Sequence, residues 1–175
     1  MNQKTILFFC CLITSVLLGQ ETMTVFTKSY KATPIWNFIC KNYAYSGTTQ
    51  VQIAKTEKGG LLKIVIETND SSFAIAGTIY ADLIDMSTIV CTDKNIHEVN
   101  GNQIISYYTL TAAEMNRLKK TEIQSLRYFI KGKNNKFSSQ TGYFTAINKK
   151  TYFATAHDNT KKSYETDVAI TTLYH

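Results

Sequence analysis

Three imidazoles, His97, His157 and His175, are the first residues to test for chemistry. A metal site needs three or four ligands, usually His or Cys at short spacings. Cys91 with His97, and the adjacent pair His157-Asp158, could contribute to one only if folding gathers them. The plainer reading is three surface histidines in or near turns, so no metal or other cofactor is expected. A Cys91 nucleophile with His97 as its base is conceivable as reaction logic, although an exported chain tends to oxidise a lone reactive thiol. Carboxylates offer another chemistry: glycoside hydrolysis uses two acids facing each other about 5–10 Å apart across a cleft. Asp82 and Asp85 flank the end of one expected strand, and Glu165 and Asp167 share one face of another. Their plainer roles are turn punctuation and the wet side of an amphipathic strand. The chain has no Gly-x-Ser-x-Gly elbow, His-Glu-x-x-His, phosphate-cradling glycine loop or Cys-x-x-Cys. Their absence removes large enzyme families that leave a local trace, without excluding an enzyme.

The strongest candidate is a basic, aromatic stretch. Between Arg117 and Lys162 stand eleven Lys or Arg residues against two acids, Glu122 and Asp158. Arg127, Phe129 and Lys131 share one strand face, opposite Tyr128 and Ile130. Lys133, Lys136, Phe137, Tyr143, Lys149, Lys150 and Tyr152 follow closely. Cations interleaved with exposed rings suit anionic polymers, sugars or nucleic acid through charge neutralisation and stacking. Arg127, Lys131, Lys133, Lys136, Lys149 and Lys150 are therefore the candidate ligand-binding residues. The competing reading is a solvated strand-and-loop surface whose aromatics are buried.

The elements that must position these residues are mostly strands. Val51 and Ile53 alternate with Gln50 and Gln52, and Leu62, Ile64 and Ile66 alternate with Lys63 and Glu67. Glu57-Lys58-Gly59-Gly60 between them reads as the turn of a hairpin. Phe73, Ile75, Ile79 and Leu83 share a face, with Gly77 at the place of a bulge. Asp85-Met86-Ser87 marks a turn before a strand at Thr88–Thr92. Asn100-Gly101 is a type I′ signal joining Ile96–Val99 to Ile104–Leu110. Thr111-x-x-Glu114 fits a capping box opening one short helix, about residues 111–120. Strands are expected at Ile123–Lys131, at Tyr143–Ile147 with Thr151–Ala156, and at Tyr164–Tyr174, where the β-branched Val168, Ile170, Thr171 and Thr172 favour a strand. Thr33–Tyr45 reads as a strand, with a helix near 33–41 opened by Pro34 as the alternative.

The amino terminus carries Lys4 and then an apolar run, Thr5–Leu18, ending at Gly19. At about 14 residues this run is short of a spanning helix and has the build of an export signal. Residues 1–19 are read as a signal peptide and 20–175 as a single β-rich domain of about 155 residues, exported to a periplasmic or extracellular place. The formal charge of +6 then falls only by the loss of Lys4. Cys10 and Cys11 leave with the signal. Cys40 and Cys91 remain, compatible with one disulfide or with two buried thiols. The hydrophobic content of 44% and charged content of 18% exclude a disordered chain.

The Tyr45-Ser46-Gly47-Thr48-Thr49 opening, the Thr111-x-x-Glu114 helix and the strand Ile123–Lys131 after it resemble small exported bacterial proteins of uncharacterised function. The likeness spans Tyr45–Phe153 and is one of overall pattern. It implies an exported β-rich domain and carries no site residue. The sequence therefore leads to a mainly β fold, an antiparallel two-sheet sandwich with one short helix, the alternative being α+β with the second helix near 33–41. The expected function is binding: a non-enzymatic or envelope-associated domain whose basic surface meets an acidic polymer, a glycan or an envelope protein. The alternatives are an acid-pair hydrolase and a subunit that adds strands to a partner.

Overall fold

The computed structural model describes residues 21–41, 47–132, 141–151 and 162–175. The expected export signal, Lys133, Lys136, Tyr152, His157 and Asp158 lie outside the described residues. Ten strands and two short helices follow in order: β1 (Glu21–Val25), β2 (Lys28–Ala32), β3 (Trp36–Lys41), β4 (Thr48–Thr56), β5 (Gly59–Glu67), β6 (Ala74–Leu83), β7 (Thr88–Asn100), β8 (Gln103–Thr111), α1 (Ala112–Leu118), β9 (Ile123–Lys131), β10 (Gly142–Ile147) and α2 (Thr166–Thr172).

Eight strands close into an antiparallel barrel in the order β4-β3-β10-β9-β6-β7-β8-β5, with β5 returning to β4. This corrects the expected two-sheet sandwich. Ten strands are indeed too many for one small open sheet, but closure is the other way out. The β4–β5 hairpin, paired from Thr49↔Ile66 to Thr56↔Gly59, joins what a sandwich would leave as separate edges. Register shifts in β6 after Ala76 and in β7 after Asp93 supply the extra bend that closure needs. Gly77 (φ +70°) and Asn95 (φ +57°) stand at those two bulges. The second bulge also fuses the two strands expected at Thr88–Thr92 and Ile96–Val99 into one.

The α+β alternative also fails. Pro34 opens no helix; it separates β2 from β3, so that β4 pairs with Ala32 at one end and with Trp36–Ile39 at the other. Trp36, Phe38 and Cys40 point inward at strand spacing and are buried. A second helix does form, but as α2, where a strand was expected. Thr166, Ile170 and Leu173 are buried at helical spacing while Val168 is exposed. Docking overrides the β-branched preference here: Thr166 Oγ1 accepts the Ile123 N–H at 2.9 Å, and Ile170 joins the barrel core.

α1 forms as expected. Thr111 caps it, accepting the Glu114 N–H, and the Glu114 carboxylate accepts the Thr111 N–H at 2.6 Å. Met115 and Leu118 face the same core as Ile170, so the two helices close one end of the barrel. The interior is apolar, with Phe38, Ile53, Leu62, Ile64, Ile75, Ile79, Tyr108 and Phe144 fully buried. A second, smaller core lies outside the wall. Met23 and Val25 of β1 and Ala32 of β2 cover the outward residues Ala54, Leu61, Val65, Ile105 and Tyr107.

Cys40 and Cys91 are both free, which corrects the possible disulfide. Three strands separate β3 from β7 in either direction around the barrel, so the two thiols start from opposite walls. Walls with side chains between them stand about 10 Å apart, while a disulfide tolerates Cα atoms no more than about 7 Å apart.

Candidate functional site

The expected basic surface divides when folded. Strand alternation sends Tyr128 and Phe144 inward, stacked at 6.0 Å, and leaves Arg127, Phe129 and Tyr143 outside. Arg127 does not offer a free charge. Its Nε and Nη2 donate to the two Asp82 carboxylate oxygens at 2.7 and 2.9 Å, a two-pronged pair across β6 and β9. Thr88 and Ser125 hydroxyls also donate to Asp82. The Arg127 guanidinium holds the Asp82 carboxyl below its ordinary pKa, and the carboxylate raises the guanidinium in return. Lys131 is exposed at the far end of β9. Lys149 and Lys150 follow β10 and are exposed, with Lys150 Nζ 5.5 Å from the Tyr164 ring centre. These residues do not converge on one concave site.

The structure instead gathers cations that are scattered through the sequence. A groove of about 1020 Å³ runs beside the helix-closed end, between β2, the β4–β5 turn, β8 and the residues after α2. Lys28, Lys31, Lys55, Lys58 and Lys94 line it, with Glu57 as its one carboxylate side chain. Among the described residues none of these lysines makes an ion pair. Tyr174 stands in the wall, with Lys55 Nζ 4.4 Å and Lys119 Nζ 4.1 Å from its ring centre. Such cation–π contacts place ammonium groups without neutralising them. Burial raises the Tyr174 phenol pKa. The floor requires close backbone approach. A Cβ on Gly59 would collide with the Leu110 carbonyl oxygen, and one on Gly60 with the Met115 sulfur. The turn itself is Glu57-Lys58, and the two glycines open β5.

Sequence reasoning missed this groove because its five lysines come from three segments, residues 28–31, 55–58 and 94. The one local signal was Lys55 and Lys58 flanking a recognisable hairpin turn. Among the described residues, the cations of the second half are spread over separate strands and turns rather than gathered.

The other chemical candidates find structural roles. Asp85 accepts from the Ser87 N–H and hydroxyl in an exposed turn, and these bonds lower its pKa. A catalytic acid of a hydrolytic pair needs the opposite shift. Glu165 directly precedes α2 and Asp167 lies in its first turn, so they share no strand face. Burial pushes the Cys91 thiol up to about 12, away from the thiolate a nucleophile requires. His97 does not meet Cys91. Its Nδ1 lies 2.9 Å from Ser106 Oγ and its Nε2 3.3 Å from Asp93 Oδ2. That order of groups resembles a nucleophile relay, but Ser106 is 0% exposed, so no substrate carbonyl reaches it. The three residues tie β7 to β8 across the second bulge.

Among the described residues no three His, Cys, Asp or Glu side chains gather as a metal site, and no helix is long and apolar enough to cross a membrane. Closure leaves β1 at the end of the strand order. No family model matches the chain, and neither a curated protein nor a solved structure does.

Proposed function

We propose that the protein is an exported binding domain that holds an anionic ligand in the lysine groove. The amino-terminal apolar run supports export. The observation that carries the binding reading is the groove itself: five lysines with no ion-pair partner among the described residues, facing one glutamate across a single concavity. Like charges held together repel, and an arrangement that keeps them unpaired is relieved by an anion. The groove is open rather than enclosed, which suits a segment of acidic polymer or acidic glycan carrying phosphate, sulfate or carboxylate groups. Binding rather than hydrolysis is favoured because Asp82 and Asp85 both have lowered pKa values and fixed partners.

Titration calorimetry with heparin and with long-chain polyphosphate tests this. Binding is expected to weaken linearly in log affinity against log salt, because neutralised charges release counterions. Lys31→Glu with Lys55→Glu is expected to weaken it about a hundredfold at low salt. Salt-independent binding, or binding unaltered by the double reversal, overturns the reading.

A further inference from the structure

We propose a second binding surface on the outer face of β6, β9 and β10, for the pyranose rings of a neutral glycan. The register places its residues in rows. Tyr80, Arg127 and Thr145 stand side by side on the three strands; Phe129 and Tyr143 stand side by side in the next outward row of β9 and β10. Tyr143 is 84% exposed and Tyr80 40%. Two rings this open on neighbouring rows of one face form an apolar patch of the kind that marks a binding surface.

The rings are held in place. Tyr143 meets Phe129 edge to face at 4.8 Å, and the Arg127 guanidinium lies 5.1 Å from the Tyr80 ring centre. Fixed rings meet a ligand with little loss of side-chain freedom. Strand spacing sets Tyr80 and Tyr143 about 12 Å apart at their Cα atoms, further than one sugar ring reaches. The small residues Ala76 and Thr145 beside them leave the floor low.

Charge decides the ligand. Asp82 cancels Arg127 in the middle of the face, and the exposed Lys131 stands beyond Phe129 at the end of β9, so the middle row has no net charge to attract an acidic polymer. The guanidinium uses Nε and Nη2 on Asp82, and its remaining N–H donors suit sugar hydroxyl oxygens. Aromatic faces take the C–H side of a pyranose. A protein partner fits less well. The open apolar side chains of the face are few, namely Tyr80, Tyr143, the half-buried Phe129 and Val90 on the neighbouring β7, against about 20–30 residues on each side of a standard protein interface. This surface is independent of the lysine groove.

The test is co-sedimentation of the full exported chain with chitin and with cellulose, and gel retardation in laminarin. Binding to at least one is expected, equal at low and high salt. Tyr143→Ala is expected to weaken it about fivefold or more, and Tyr143→Phe to preserve it. Lys55→Glu should leave it unchanged, since that residue lines the other site. Unaltered circular dichroism of each variant separates lost binding from lost folding. The proposal is overturned if none of the three polysaccharides binds. It is also overturned if Tyr143→Ala binds as the parent does, if high salt or Lys55→Glu abolishes binding, or if Tyr143→Ala only converts a dimer to a monomer.

Discussion

The lysine groove and the Arg127 face are both basic by composition, yet they differ in whether the charge is free. Arg127 spends its fork on Asp82, with Thr88 and Ser125 completing the carboxylate's bonds. Lys28, Lys31, Lys55, Lys58 and Lys94 have no ion-pair partner among the described residues, and Tyr174 orients Lys55 without cancelling it. Counting basic residues locates neither property. An arginine paired diagonally with an aspartate on the neighbouring strand is a structural cross-link. Lysines from three segments meeting over a groove are a potential for ligand. The comparison therefore turns on pairing rather than on number.

The sharpest way to break it is charge reversal. Lys31→Glu with Lys55→Glu is expected to lower polyphosphate affinity about a hundredfold at low salt, at about 1.4 kcal/mol per reversed charge, while Arg127→Ala changes it less than about twofold. Calorimetry of the two variants side by side decides this, and equal losses would erase the distinction. A steric change comes next. Gly59→Ala drives a Cβ into the Leu110 carbonyl beneath the groove and is expected to cost about 1–3 kcal/mol in urea unfolding. Ala76→Ser, on the half-buried outer side of β6, should stay within about 0.5 kcal/mol.

Unpairing the face is a smaller experiment with an opposite sign for binding. Asp82→Asn frees the guanidinium, so polyphosphate affinity should rise about two- to fivefold while stability falls by about 0.5 kcal/mol, as for exposed pairs. A fall in affinity would mean that Asp82 positions something else. The pH dependence is the mildest discriminator. Asp82 has a folded-state pKa below its unfolded value of about 3.9, so its contribution is present above that value and lost as pH falls through the folded one. Acid melts of Asp82→Asn should flatten in that window. The barrel interior responds at the other extreme. Cys91 is raised to about 12, so its contribution is full below the unfolded thiol value of about 8.5 and is lost as pH rises from there towards 12. Cys91→Ala should remove part of that alkaline loss, and native Cys91 should resist thiol reagents at neutral pH.

Much of the local structure was legible because short-range chemistry decides it. The Thr111–Glu114 capping box closes within four residues. Gly77 marks a bulge because glycine takes the positive φ of +70° there at little conformational cost. The strand Ile123–Lys131 has the bounds expected of it, with Leu126, Tyr128 and Ile130 inward. The Asn100-Gly101 signal did mark a hairpin, although the two turn residues are Gly101 and Asn102 with a positive φ at Gly101 alone, a type II′ pattern rather than I′. The β1–β2 hairpin escaped notice because its turn is Phe26-Thr27, with Phe26 at φ +52° and no Gly, Pro, Asn or Asp to announce it. A signal for it was present elsewhere. Leu61-Leu62, Ile64-Val65-Ile66, Ile104-Ile105 and Tyr107-Tyr108 are apolar on both faces, as strands covered on both sides are.

Residue order alone determined that this chain alternates into strands, where it turns, where one helix is capped, and that its second half is rich in cations. Those are properties of neighbours a few residues apart. Barrel closure, the helical state of residues 166–172, the separation of Cys40 from Cys91 and the meeting of the groove lysines were decided only in three dimensions. Each depends on which distant strands lie side by side, and a period of two specifies a buried face without naming its neighbour. Arg127 is the plainest case: its sequence context reads as free charge, and only the β6–β9 pairing, by bringing Asp82 diagonally beside it, shows that the charge is already answered.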